Sequence, residues 1–593
     1  MSGTTSLGAL PQWDLNDLYP GTQAPELAAD LSRAEADAKA FATQYSGKLD
    51  GLGGAALTLA IVEYERIGEI LGRIMSYAGL VHAGNVSNPE IGRFFQTTHE
   101  RATDIGTDLL FFTLEINRIE DRALDRWIEE TADLARYAPW LRDIRAMRPH
   151  QLSDEIEKLL HEKSVAGRAA WIRLFNETMA DLRFSFRGRD LTATEIFDLL
   201  SDHDGAKRKE AAKSVGAVLG DNIRLFSLIT NTIAKDKEIE NRWRQFARPV
   251  SSRNLSNFVE DDVVDALVAA VKDSYPRLSH RYYALKARWF GTGKLDYWDR
   301  NAPPPDEDDR LVPWTEARDT VLDAYGAFSG ELAAVGKRFF DNAWIDAPAR
   351  AGKSSGAFAH PTVPSAHPYL LLNYQGKMRD VMTLAHELGH GVHQVLAGPQ
   401  GHLMADTPLT LAETASVFGE MLTFQAMLKA TTQPKPRRAM LAAKIEDMLN
   451  TVVRQIAFYE FERTVHDLRR EGEIPAEKLG EIWLDIQRES LGPAIRFAPE
   501  YAHYWAYIPH FIHAPFYVYA YAFGDCLVNS LYARYQESPA GFVDKYLDML
   551  RAGGTLRHRE LLAPFGLDAT DPAFWSGGLK VIEGFIDELD AAM

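Results

Sequence analysis

"TLAHELGHGVHQVLAG", residues 383–398, carries three histidines, His386, His390 and His393, with Glu387 directly after the first. No proline falls within 379–398 and "RDVMTLA" leads in with good helix formers, so the stretch is expected to be one helix. Residues i and i+4 share a helical face, with Cβ atoms about 6 Å apart. His386 and His390 are spaced that way, so their imidazoles can reach one Zn²⁺ at ~2.0–2.1 Å. Glu387, adjacent to the first, can reach a water on that metal, which is the chemistry of a His-Glu-x-x-His hydrolase.

A catalytic zinc site needs a third protein ligand and an open fourth position. The extended histidine pattern fails, because its third position falls on Leu396. His393 lies on the right face, but three histidines along one straight helix span ~10 Å, too far to share an ion. A polar lining role suits it better. The other source is a carboxylate downstream, in "ADTPLTLAETASVFGEML" (405–422). There Thr407-Pro408 reads as a helix start. Glu413 follows among small and apolar residues, and burying it requires a metal or a salt bridge. Glu420, seven residues on, is expected on the same face, where it can support a ligand.

The surroundings are helical. Amphipathic periods run through about 25–46, 56–84, 88–118 and 152–181, then through 205–240, 259–290 and 316–345. Between them, Leu182, Phe184 and Phe186 alternate with polar residues, a strand signal that turns at Gly188. Thr192 and Glu195 form a capping box that restarts helix. "NAPPPDEDDRLVPW" (301–314) reads as an exposed connection, and "HPYLLLNYQGK" (367–377) as a strand leading into the histidine helix. The class expected is mainly α with a small β-sheet, and the domains expected are 1–190, helical, and 191–593, catalytic.

Bulk composition narrows the function. With 65 basic and 83 acidic residues the net charge is −18, which argues against a nucleic-acid partner. One cysteine, Cys526, forms no intramolecular disulfide and points to a reducing, cytoplasmic setting. No basic residue precedes Arg33 and no stretch approaches the ~18 apolar residues of a membrane span, so neither a secretory leader nor a membrane is expected. "GLGGAA" (51–56) follows a helix and "GTGK" (291–294) lacks the upstream glycine, so neither is read as a phosphate loop.

"HELGHGVH" followed by "LAETASVFGE" resembles the thimet oligopeptidase and oligoendopeptidase F family of metallopeptidases. "WDLNDLYPG" (13–21), "HPYLLLNYQGKMRDVMTLAHELGH" and "IPHFIHAPFYVYAYAFG" are similar to its oligoendopeptidase F branch, so the resemblance runs from Trp13 to the final helices. It implies one zinc ion held by His386, His390 and Glu413, with Glu387 as the base, and a histidine at 393 that is not a ligand. It also implies a zincin-like, elongated helical body of two lobes about a deep channel, acting on short peptides. Tyr517 and Tyr521, at i and i+4, are expected on one helical face, and the family's late His and Tyr cluster maps to His510, Tyr517 and Tyr521 as oxyanion donors. Ile512 stands where many members carry a tyrosine, and His513 has no counterpart. "HPYLLLNY" is expected as an edge strand beside the substrate.

Three other readings meet the same residues. A carboxypeptidase needs a site for the substrate's terminal carboxylate. A peptide-binding scaffold has no need of Glu387. A structural zinc site closes with four protein ligands, often cysteines, and only one cysteine exists.

Overall fold

The computed structural model describes residues 7–164, 166–304 and 310–593, so part of the expected 301–314 connection lies outside the described residues. The chain is mainly helical with small sheets, as its periodicity dictates. It divides into two compact units, each gathered from three stretches. The first comprises Met1–Arg148, Asp309–Ala430 and Ser538–Phe565. The second comprises Pro149–Asp308, Thr431–Glu537 and Gly566–Met593. The expected boundary at 190/191 falls inside the second unit, so compact units and expected sequence domains are different divisions. No helix among the described residues is long and apolar enough to cross a membrane.

In the first unit, helices Pro25–Tyr45, Gly54–Gly84 and Pro89–Ile116 pack on one another around Phe41 and Phe112. A three-stranded sheet follows, with Tyr369–Tyr374 in the middle, Ile345–Pro348 parallel on one side and Phe358–His360 antiparallel on the other. This corrects the expected edge strand: "YLLLNY" spends both its hydrogen-bonding edges inside the sheet, and Phe358–His360 is an outer strand. The apolar run is what a central strand needs, because both faces are covered. The "WDLNDLYPG" segment braces this sheet. The Tyr369 hydroxyl donates to Asp14 O at 2.9 Å, Asp14 N donates to Ala343 O at 2.8 Å, and the His367 ring meets Asp17 at 2.9 Å.

The second unit holds the hairpin Phe184–Phe186/Arg189–Leu191, turned through Arg187 and Gly188 at positive φ, and the Thr192–Glu195 capping box. Its helices include Val453–Glu471 and Tyr519–Glu537. Several long periods are interrupted. The 205–240 stretch breaks at Asn222, whose side chain bonds back to Val218 O, and 259–290 breaks between Ser274 and Ser279. Both serines turn their hydroxyls onto main-chain carbonyls. Such side chains compete with the helix's own hydrogen bonds.

Candidate functional site

The histidine helix runs from Met378 to Ala397. Asp380 fixes its start by accepting from Gln375 N and Lys377 N at 2.9 Å each. Downstream, the expected single helix is two: Leu409–Ala412 and Ser416–Ala430, with Glu413 in the turn between. Glu413 and Glu420 therefore do not share one helical face. The turn packs tightly on the histidine helix. Gly389, inside His-Glu-x-x-His, sits so close to this turn that a Cβ there would lie 2.4 Å from Ala415 O and 2.7 Å from Ser416 Cα. Only glycine permits that approach. Thr414 O accepts from the buried Tyr546 hydroxyl at 2.9 Å, which holds the turn from the other side. Tyr325 adds a further clamp, donating to Ala385 O at 2.6 Å.

The turn brings Glu413 to both histidines. Its Oε2 is 3.3 Å from His386 Nε2 and 3.5 Å from His390 Nε2, and one ligand atom from each residue falls within 4.8 Å of the others. Bonds of ~2.0–2.1 Å in a tetrahedron separate neighbouring ligand atoms by about 3.3–3.4 Å. Two imidazole nitrogens and a carboxylate oxygen at these separations fit a zinc ion. The side chains are 20–27% exposed, so the donor set is not closed off as a structural site would be. Ser416 Oγ donates to Glu413 Oε2 at 2.6 Å and helps fix the carboxylate.

Glu420 reaches the first histidine from behind, with Oε2 3.3 Å from His386 Nδ1. That contact sets the tautomer that leaves Nε2 for a metal. Burial opposes a charge on His386, but the bond to Glu420 and the charges of Glu413 and Glu387 outweigh it and raise its pKa to about 9. Glu387 is 7% exposed, and burial foremost lifts its carboxyl to about 7. His393 is apart from the triad. It is buried, bonds Thr407 Oγ1 at 3.2 Å, and is held down to about 4 by burial and then by His390.

In the second unit, His510, Tyr517 and Tyr521 form a cluster of their own. His510 Nε2 is 3.3 Å from the Tyr521 hydroxyl, and the Tyr517 and Tyr521 rings are 5.3 Å apart. The helical spacing expected of the two tyrosines is not the cause. Helix His510–His513 is a single turn, the longer helix begins at Tyr519, and Tyr517 precedes it. Tyr519 is turned away and buried, its hydroxyl accepting from Asn257 at 2.8 Å. His513 meets Asn176 at 2.7 Å.

Sequence reasoning missed Gly389's role and the strand Phe358–His360. The strand has three residues and no alternation, and only its antiparallel pairing with Tyr369–Tyr374 reveals it. The glycine was visible in the motif, but its partner was not.

Comparison with known proteins adds a separate line. A family model described as Peptidase family M3 matches residues 331–581, and one described as Oligopeptidase F matches 115–184. Oligopeptidase PepF of Bacillus subtilis is 27% identical over 601 residues, covering 98% of this chain and 86% of the relative. An oligoendopeptidase F homolog of Lactococcus lactis is 25% identical, covering 98% and 96%. Among solved structures, oligoendopeptidase-F from Enterococcus faecium superposes with a TM-score of 0.71 at 23% identity, covering 96% and 97%. A chain from Chlamydophila abortus superposes at 0.85 with 22% identity, covering 98% of each.

Proposed function

We propose that this chain, which belongs to the oligoendopeptidase F branch of peptidase family M3 and is a metalloendopeptidase, cuts short, unfolded oligopeptides with zinc as its metal and Glu387 as its general base. The observation that carries this is the shared Glu413 oxygen, within 3.5 Å of both histidines that flank Glu387 on one helical face. His386 and His390, through Nε2, and Glu413, through its carboxylate, would hold the ion. Zinc bound there would supply Lewis acidity toward a water and the scissile carbonyl.

Glu387 takes the proton of the attacking water on its carboxylate and returns it to the leaving amine. Its burial beside the two histidines keeps this carboxyl out of bulk water, where it can pass a proton to and from groups at the metal site. Glu420 holds the His386 ring in orientation. Tyr521, Tyr517 and His510 donate to the tetrahedral oxyanion, a role carried by their match to the family's late cluster. Phe358–His360 lies against the histidine helix, and an extended peptide can add to an outer strand through main-chain hydrogen bonds. All these residues fall within 191–593, the stretch assigned as catalytic. The single, buried Cys526 supports a cytoplasmic setting.

Cleavage of a nonapeptide with products identified by mass tests the substrate class. Internal cuts that stop with chelator and return with zinc are expected. Residues removed stepwise from the C-terminus would replace the endopeptidase with a carboxypeptidase.

A further inference from the structure

The second unit holds a group of buried and half-buried cations whose charges are unevenly balanced. Lys286, 1% exposed, is paired with Glu446 and donates to Arg300 O at 2.9 Å. Arg208 is paired with Asp299 at 2.6 Å. Arg300 and Arg454 are different: among the described residues neither makes an ion pair. Arg300 Nη1 donates to Asn450 Oδ1 at 3.0 Å, and Arg454 Nη2 donates to the Tyr507 hydroxyl at 3.0 Å. The Arg454 guanidinium also lies 4.9 Å over the Phe458 ring. All these partners are neutral.

A guanidinium stays protonated and carries five N–H donors, so most donors on both arginines are left to spare. Taking one even partly out of water without a counter-charge is costly, and placing two near each other adds their repulsion. Burial foremost, with the Arg300 charge against it, pulls the Arg454 pKa below its ordinary value. Carboxylates are not scarce in a chain with 83 of them against 65 cations. These two arginines, which make no ion pair among the described residues, adjoin the proposed oxyanion cluster. Phe458, under Arg454, packs at 5.6 Å on Phe511, the neighbour of His510, and the His510 imidazole is held down by burial, His513 and Arg454.

We propose that Arg300 and Arg454 form a binding site for a carboxylate of the peptide substrate, next to His510. The planar guanidinium fork matches a carboxylate in two-point geometry. The inference rests on the peptidase reading above.

The test uses the metal-loaded enzyme and one cleavable peptide in three forms: free C-terminal acid, C-terminal amide, and acid with each Asp exchanged for Asn. Each form is given to wild type, Arg454→Gln and Arg300→Gln. Removing the recognised carboxylate is expected to cost wild type about 10–100-fold in kcat/KM, chiefly through KM. The same removal should cost each variant less than about twofold, since the charge that reads it is gone. The amide and Asn arms show whether the carboxylate is terminal or a side chain. Equal sensitivity of wild type and variants, or indifference of wild type to every form, overturns the proposal. The wild-type arm stands even if a variant fails to fold. A metal-loaded wild type that cuts none of the peptides removes the peptidase reading itself.

Discussion

The histidine helix with its Glu413 turn and the aromatic segment 507–524 each bring catalytic candidates together, by opposite routes. In the first, one regular helix sets two candidate ligands by spacing alone, and a turn packed against Gly389 brings up the third. In the second, no regular element does the work. The turn from His513 to Tyr517 passes through Phe516 at φ +63 and is pinned by three side chains distant in sequence. Arg168 donates to His513 O at 2.6 Å, Arg253 donates to Pro515 O at 3.3 Å, and Glu462 accepts from Phe516 N at 2.8 Å. A motif held by local geometry is legible from one stretch of sequence. A cluster held by long-range struts is not.

The contrast predicts where damage is total and where it is graded. His390→Ala removes one of two ligands that the helix itself sets, so the variant should lose bound zinc and all measurable peptidase activity while its helical circular dichroism is retained. Retained stoichiometric zinc would mean the triad is misassigned. Tyr521→Phe should keep its zinc and lose about 10²–10³ in kcat, the usual cost of one oxyanion donor. Turnover near wild type would take the second region out of the chemistry. Glu420→Ala should leave zinc bound but weaken its affinity by about 10–100-fold, read in a chelator competition.

The smallest effect is on stability. Burial lifts the Glu462 carboxyl to about 8. A group raised in the folded state contributes stability fully below its unfolded pKa, and that stability is lost as pH rises through the folded pKa. Wild type should therefore become less stable from about pH 4.5 to 8 through this group. Glu462→Gln, which keeps the acceptor for Phe516 N, should raise Tm at pH 8 and have little effect near pH 4. A flat difference across pH would show that the carboxyl does not titrate there.

Much of the first region was readable. His386, His390 and Glu387 follow from a period of 3.6, and Glu413 from a carboxylate among apolar neighbours plus the family resemblance. What was not readable were tertiary consequences. A central strand and an edge strand with the same apolar run differ only in their neighbours, which is why "YLLLNY" was misplaced. The close approach of the Glu413 turn to the histidine helix depends on Gly389, twenty-four positions earlier. Tyr517 and Tyr521 were paired through a helix that does not extend to Tyr517, though their rings do meet. Arg300 and Arg454 gave no signal in sequence, because an arginine whose partners among the described residues are all neutral is visible only once its surroundings are known.

The decisive measurement follows peptide cleavage and bound zinc in the same samples of wild type and Glu387→Gln. The substitution keeps the size of the side chain and touches no assigned ligand. The expected result is one zinc per chain in both proteins, internal cleavage by wild type, and a loss of about 10²–10⁴-fold in kcat for the variant, the range of a general base. A fully zinc-loaded Glu387→Gln that cleaves at the wild-type rate would contradict the assignment of Glu387 and the mechanism built on it.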